Sequence, residues 1–131
     1  MMYVLDSNCL IYFFKRQGRV AESLLEVPPQ EIAIPAVALY ELETGVAKSR
    51  FPERNGAQLD ELVSRITVLP FGRAEAKAAA RIRANLERQG LPIGPIDTLI
   101  AGTALSHGAI LVTHNTGEFG RVQGLSVVDW F

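Results

Sequence analysis

The chain has 131 residues, is 48% hydrophobic and 21% charged, and carries a net charge of −1, the composition of one soluble globular domain rather than of a disordered or fibrous chain. The apolar run over residues 10–14 falls far short of the ~20 residues a membrane span needs, and Met1-Met2 leads straight into strand-like sequence, so a cytoplasmic protein without a signal peptide or membrane association is expected. With one cysteine, Cys9, and two histidines, His107 and His114, an intrachain disulfide and a cysteine-rich zinc centre are excluded, and a metal acting here would be one that prefers oxygen.

Residues 2–5 predict a short apolar strand that stops at Asp6-Ser7-Asn8, a cluster suited to a helix N-cap. The following helix is expected to bury Leu10, Ile11, Phe13 and Phe14, to end on Lys15-Arg16 and to break at Gly18. A second short helix then carries Ala21, Leu24 and Leu25 and is closed by Pro28-Pro29. Residues 32–34 make a second strand, and Pro35 suits the first position of a helix over 36–48. On that helix Val37, Tyr40, Glu41, Thr44 and Val46 lie close in angular position, so Glu41 is expected to point inward from a largely apolar face. After Phe51-Pro52, Leu59, Leu62, Val63 and Ile66 keep helical spacing, and Val68-Leu69 form a third strand ending at Pro70. The clearest helix, over 73–88, is rich in Ala and is stopped by Gly90. It places Ala79, Ile82 and Leu86 on one side and Lys77, Arg81 and Arg88 on another. Gly94-Pro95 opens a helix over 96–107 with Asp97 in its first turn and Gly108 at its end. A buried strand over 109–113, a short turn or helix over 115–119 and a last strand over 126–128 follow. Strands alternating with helices, with no repeat or linker, predict a single domain over 1–131 of α/β class, an α/β/α sandwich with a mainly parallel central sheet.

The near-neutral total argues against a uniformly basic nucleic-acid binder. Yet residues 48–88 hold nine basic and five acidic side chains, whereas the remainder holds four basic and nine acidic. A basic surface beside an acidic focus is therefore expected, and carboxylates gathered in one cleft repel unless a cation binds them. In open α/β sheets, sites form beyond the carboxyl ends of the strands. That rule selects Asp6 after the first strand, Glu41 on the helix after the second, Asp97 in the first turn of the helix before the fourth, and Asn115 just beyond the fourth. Asp6, Glu41 and Asp97 together would bind Mg²⁺ or Mn²⁺, which favour octahedral oxygen coordination. Plainer roles stay open: Asp6 as an N-cap, Asp97 as a carboxylate on a helix dipole. Glu41, amid Val37, Leu39, Tyr40 and Leu42, is harder to explain, because an acid buried without a partner is costly.

Four segments, in order, carry a resemblance that covers the whole chain. They are Tyr3-Val4-Leu5-Asp6-Ser7-Asn8, then Leu39-Tyr40-Glu41-Leu42-Glu43-Thr44-Gly45, then Ile93-Gly94-Pro95-Ile96-Asp97-Thr98-Leu99-Ile100-Ala101, and Leu111-Val112-Thr113-His114-Asn115-Thr116-Gly117-Glu118-Phe119 with the tail Val128-Asp129-Trp130. In these the chain resembles the PIN-domain ribonucleases, specifically the VapC toxins of bacterial toxin–antitoxin pairs. The resemblance implies a PIN-like fold and a Mg²⁺- or Mn²⁺-dependent endoribonuclease. It also implies a homodimer, neutralised by a cognate VapB antitoxin and touching DNA only through it. Structured RNA, with tRNA foremost, is the implied substrate. The family's catalytic positions fall on Asp6, Glu41 and Asp97. The fourth acidic position of many PIN domains falls on Asn115, which leaves either this amide or Glu118, three residues on, to complete the site.

In such a site Asp6 and Asp97 would hold the cation, while Glu41 orients the attacking water or shares the metal. Hydrolysis by water leaves the ribose 2′-OH out of the attack, so 5′-phosphate and 3′-hydroxyl ends are expected. Ser7 and Thr113 either hydrogen-bond the carboxylates or a phosphate, or are ordinary cap and strand residues. Lys77, Arg81 and Arg88 either grip RNA phosphates or form a solvated helix face. His114 is expected as a half-exposed strand-end residue rather than a general base, and His107 as a cation-compatible helix end. The Tyr12-Phe13-Phe14 run and Trp130-Phe131 offer more aromatic surface than so small a core hides, enough for a dimer interface or a groove for an antitoxin helix. Dinucleotide and P-loop fingerprints are absent, and Asp6-Ser7-Asn8 lacks the second acid of a phosphoryl-aspartate receiver. The surviving rival is a catalytically degenerate PIN module that acts only as a protein- or RNA-binding partner.

Overall fold

A computed structural model describes residues 1–131. Five short strands, β1 (Tyr3–Leu5), β2 (Ile32–Pro35), β3 (Thr67–Leu69), β4 (Ile110–Val112) and β5 (Ser126–Val128), form one sheet in the order β3-β2-β1-β4-β5. Every pairing is parallel, with Val4 opposite both Ala33 and Leu111. An all-parallel sheet must bury both faces under its crossover helices, and the central strands comply: Val4, Leu5, Ala33, Ile34, Leu111 and Val112 are fully buried.

The helices are α1 (Ser7–Lys15), α2 (Val20–Leu25), α3 (Ala36–Ala47), α4 (Pro52–Val63), α5 (Arg73–Arg88), α6 (Pro95–Ser106) and the single turn α7 (Thr116–Phe119). The longest, α5, buries Ala79, Ile82 and Leu86, as its spacing predicts. It packs closely on α6 because Gly102 has no side chain: a Cβ there would lie 2.6 Å from that of Ala79. Glu75 accepts a hydrogen bond from the Gly72 N–H (2.8 Å) and meets His107 Nε2 at 3.0 Å, which ties the start of α5 to the end of α6. His107 is thus the capping residue of α6, and the Gly72 N–H, with help from His107, holds the Glu75 carboxyl below its ordinary range.

Four local expectations are corrected. In α1 the buried residues are Cys9 and Leu10, whereas Ile11 and Phe14 are more than one-third exposed. A run apolar on every side gives no periodicity from which to choose a face. Leu25 is 80% exposed while Leu24 is buried. In α3 the inward stripe is Ala38 and Leu42, with Tyr40 exposed, so Glu41 flanks the buried stripe and is only half-buried. Pro35 closes β2 and precedes α3, its extended backbone (ψ 141°) serving as the N-cap rather than the first helical position.

The chain lays down β1, β2 and β3 in one direction, then returns to the other side of β1 for β4 and β5. The order therefore reverses between β1 and β4, and the crevice beyond their carboxyl ends is where a site is expected in this topology.

Candidate active site

Asp6 leaves β1 and immediately caps α1. Its Oδ1 accepts the Cys9 N–H (2.9 Å), its Oδ2 accepts the Thr113 hydroxyl (2.6 Å), and only 4% of the residue is exposed. Thr113 follows β4 directly, so this bond joins the two strand ends across the reversal point. The same hydroxyl oxygen accepts the Asn115 N–H at 3.0 Å. Ser7, the next residue after Asp6, donates its hydroxyl to Glu41 Oε1 at 2.8 Å. Both hydroxyls singled out in the sequence therefore contact the acids.

Asp97 lies in the first turn of α6. Its Oδ2 lies beside Gly94, where a Cβ would make only an ordinary contact at 3.5 Å. Partial burial pushes the Asp97 carboxyl up to about 6. The charges of Glu118, Asp6 and Glu41 and a hydrogen bond with Glu118 push the same way. The three acids selected from the sequence thus share one electrostatic neighbourhood with a fourth. Glu118, in the first turn of α7, accepts a hydrogen bond from the Asn115 side-chain amide. Asn115 therefore reaches the cluster through Glu118.

None of the four carboxylates forms an ion pair with Lys or Arg. The cluster is an uncompensated negative focus that only a bound cation or bound protons can relieve. Its donors are all oxygen, as Mg²⁺ and Mn²⁺ require. As the side chains stand, no three His, Cys, Asp or Glu residues form a ready-made ligating group. The engaged oxygens of Asp6 and Glu41 nonetheless keep a second lone-pair direction, since an ionised carboxylate offers about four acceptor sites.

Other candidates fall elsewhere. Arg81 and Arg88 line a surface groove with Ile82, Asn85, Leu105 and Val122, and no acid of the cluster borders it. Lys77 is exposed on the same helix but outside that groove. His114 is exposed; its Nδ1 meets Asp129 Oδ2 at 2.9 Å and its ring stacks on Phe131 with centroids 4.1 Å apart. That pairing commits it to the C-terminal tail, as does the edge contact of Tyr12 with Phe131. Two neighbours of the cluster escaped the sequence. Cys9 donates its thiol to the Val112 carbonyl, and burial together with the Asp6 charge raises its pKa far above the ordinary range, so it is an inert packing residue. Arg121 donates to the Pro92 carbonyl (3.2 Å), fastening the segment after α7 to the loop before α6. No sequence signal marks either contact.

The PIN domain family matches residues 3–125. The tRNA(fMet)-specific endonuclease VapC of Shigella flexneri is 43% identical over 130 residues, spanning 99% of this chain and 98% of that protein. The chain belongs to the VapC group of the PIN-domain family. The Salmonella typhimurium VapC, also described as a tRNA(fMet)-specific endonuclease, is 36% identical with the same coverage. Among solved structures, VapBC2 from Rickettsia felis bound to a promoter DNA fragment matches this VapC-family fold with a TM-score of 0.93, at 34% identity and over the whole of both chains. The expected PIN-like sandwich is the observed fold, and its sheet is parallel throughout.

Proposed function

We propose that this VapC-family protein is the toxin of a toxin–antitoxin pair: a divalent-metal-dependent endoribonuclease that hydrolyses tRNA. The observation that carries this reading is the grouping of Asp6, Glu41, Asp97 and Glu118 without a cationic partner, whose charges add to partial burial in raising the Asp97 carboxyl to about 6. The names of the Shigella and Salmonella relatives supply the reaction and the initiator tRNA as first substrate to test. The VapBC complexes among the structural relatives supply a VapB-type antitoxin as partner, with DNA contacted through that complex.

Asp6 and Asp97 are the residues that would hold Mg²⁺ or Mn²⁺, with Glu41 and Glu118 beside them. Such a cation, when bound, neutralises charge on the scissile phosphate and makes a water more acidic. The chain's own contribution is positioning. The Cys9 N–H and Thr113 hydroxyl fix both oxygens of Asp6, so its carboxylate cannot rotate away. Ser7 restrains Glu41 through one oxygen and leaves the other free to orient a water. Asn115 holds Glu118 in the same way.

The test is cleavage of purified initiator tRNA by the wild type and by Asp97→Asn, with Mg²⁺, with Mn²⁺ and with EDTA. The expected result is cut products bearing 5′-phosphates from the wild type with either metal, and none with EDTA or from the variant. Cleavage that persists in EDTA would refute the metal dependence. A folded wild type that binds neither Mn²⁺ nor cuts RNA would leave the binding-only PIN module as the reading.

A further inference from the structure

The turn between α3 and α4 holds an aromatic ring that the core does not use. Phe51 is 50% exposed and lies outside the buried cluster. Two guanidinium groups lie over it, Arg54 at 4.8 Å and Arg50 at 5.6 Å from the ring centroid. Neither arginine forms an ion pair, in contrast to Arg19, Arg65 and Arg83, which bond Glu22, Glu61 and Glu87. Lys48 is exposed in the same turn, and Glu53, the one acid among residues 48–54, pairs with none of the three cations. The backbone beneath is fixed: Asn55 Nδ2 donates to Ser49 Oγ (3.0 Å), whose hydroxyl donates to the Val46 carbonyl (2.6 Å). Gly56 sits against Val46, with room for little more than a Cβ at 3.4 Å. The ring and its two cations are thus presented on a braced turn at the end of the helix that carries Glu41. At 1.5 Å per helical residue, Lys48 lies about 10 Å along the axis from that acid.

We propose that this turn is an RNA-docking site separate from the acid cluster. An unpaired nucleobase stacks on Phe51, displacing the more distant Arg50 guanidinium towards the flanking phosphates, which Arg54 and Lys48 also contact. An acidic peptide would satisfy the cations but leave the exposed ring unused. Single-stranded RNA offers anions and a π face in alternation, the pattern that stacking platforms with basic rims recognise. That the docked RNA is the one cut at the acids rests on the ribonuclease reading above.

Binding is measured in the Asp97→Asn background, where RNA is held without being cut, with fluorescent initiator tRNA and a short single-stranded RNA at several salt concentrations. Phe51→Ala is expected to weaken both by roughly five- to thirty-fold, from the stacking of about one base, and Phe51→Trp to retain affinity. Arg50→Gln combined with Arg54→Gln should lower the log–log salt slope by about 1 to 2. Thermal melting establishes that each variant is folded, and Mn²⁺ titration of the same substitutions with Asp97 restored establishes that they leave the acid cluster intact. Parent-like affinity and salt slope in Phe51→Ala and the arginine double variant would overturn the docking site while leaving the ribonuclease reading intact. A parent that binds no RNA would overturn both, and a Phe51→Ala protein that loses self-association instead of RNA affinity would assign the ring to a protein interface.

Discussion

Removing one negative charge from the acid cluster should stabilise the metal-free protein, and Asp97→Asn is the substitution that isolates the effect. A carboxyl raised from 3.8 to about 6 costs about 3 kcal/mol at neutral pH, taking 1.36 kcal/mol per pH unit. Asp97 is only half-buried and solvent screens its neighbours, so the working figure is about 1 to 1.5 kcal/mol. The sign is that of an acid whose proton is held more tightly in the folded state. Between about pH 4 and 6 the native protein binds more protons than the unfolded chain, so stability falls as pH rises through that window. Asp97→Asn removes the penalty, since the amide carries no charge at any of these pH values. The variant should therefore match the wild type below about pH 3.8 and exceed it by about 3–6 °C in Tm at pH 7.5. The assay is thermal unfolding in EDTA at low salt, followed by circular dichroism across that pH range. Added Mn²⁺ should reverse the order. A cation at 100 times its Kd stabilises the wild type by about 2.7 kcal/mol and does less for a protein that has lost a ligand. An Asp97→Asn protein less stable than the wild type in EDTA at pH 7.5, with the same pH slope, would refute the repulsive cluster and return Asp97 to a purely structural role on the α6 dipole.

Asp6 behaves differently because its carboxylate is also a cap. Asp6→Ala should lower stability by about 2 kcal/mol, from the lost N-cap and the buried Thr113 hydroxyl left without its acceptor, whereas Asp6→Asn should retain most of the stability; denaturant titration separates the two, and both should fail to cut tRNA. Glu118→Gln should weaken Mn²⁺ binding measured by calorimetry, and Asn115→Ala should do so by less, because the amide acts through Glu118; an unchanged affinity in Glu118→Gln would place that acid outside the cation site. Gly102→Ala should cost about 1–3 kcal/mol in chemical denaturation by forcing α5 and α6 apart at Ala79.

The parallel sheet was legible because its strands are short apolar runs separated by helix-length segments, and the three acids because each sits where such a topology builds sites. What the sequence left open was which way an ambiguous segment turns. Residues 10–14 are apolar at every position, so only packing could choose Leu10 over Ile11 and Phe14. Helical spacing put Lys77, Arg81 and Arg88 on an exposed face, but not where that face points. The structure sets Arg81 and Arg88 beside a groove that no acid borders. The Glu118–Asp97 contact was beyond reach for a similar reason, since it depends on a single helical turn packing against the start of another helix more than twenty residues earlier. Phe51 escaped notice because Pro52 marks it only as a helix boundary, and the stacking of Arg50 and Arg54 on it appears only once the turn is folded.

For Asp6 the sequence posed a false choice between helix cap and site residue. In a parallel sheet the carboxyl end of a strand is also where the next helix begins, so a residue suited to one role is already placed for the other. Capping α1 satisfies one oxygen and Thr113 the other, leaving the carboxylate buried and oriented beside Asp97. The cap thereby does for the acid what a dedicated positioning residue would otherwise have to do. Glu41 and Glu118 show what happens away from a strand end: neither caps its helix, and each is held by one polar side chain, Ser7 or Asn115. The most tightly fixed acid, Asp6, therefore lies at the strand reversal, and the other three lie on helices. Such a division suits a site whose acids must draw together around a cation that offsets their repulsion.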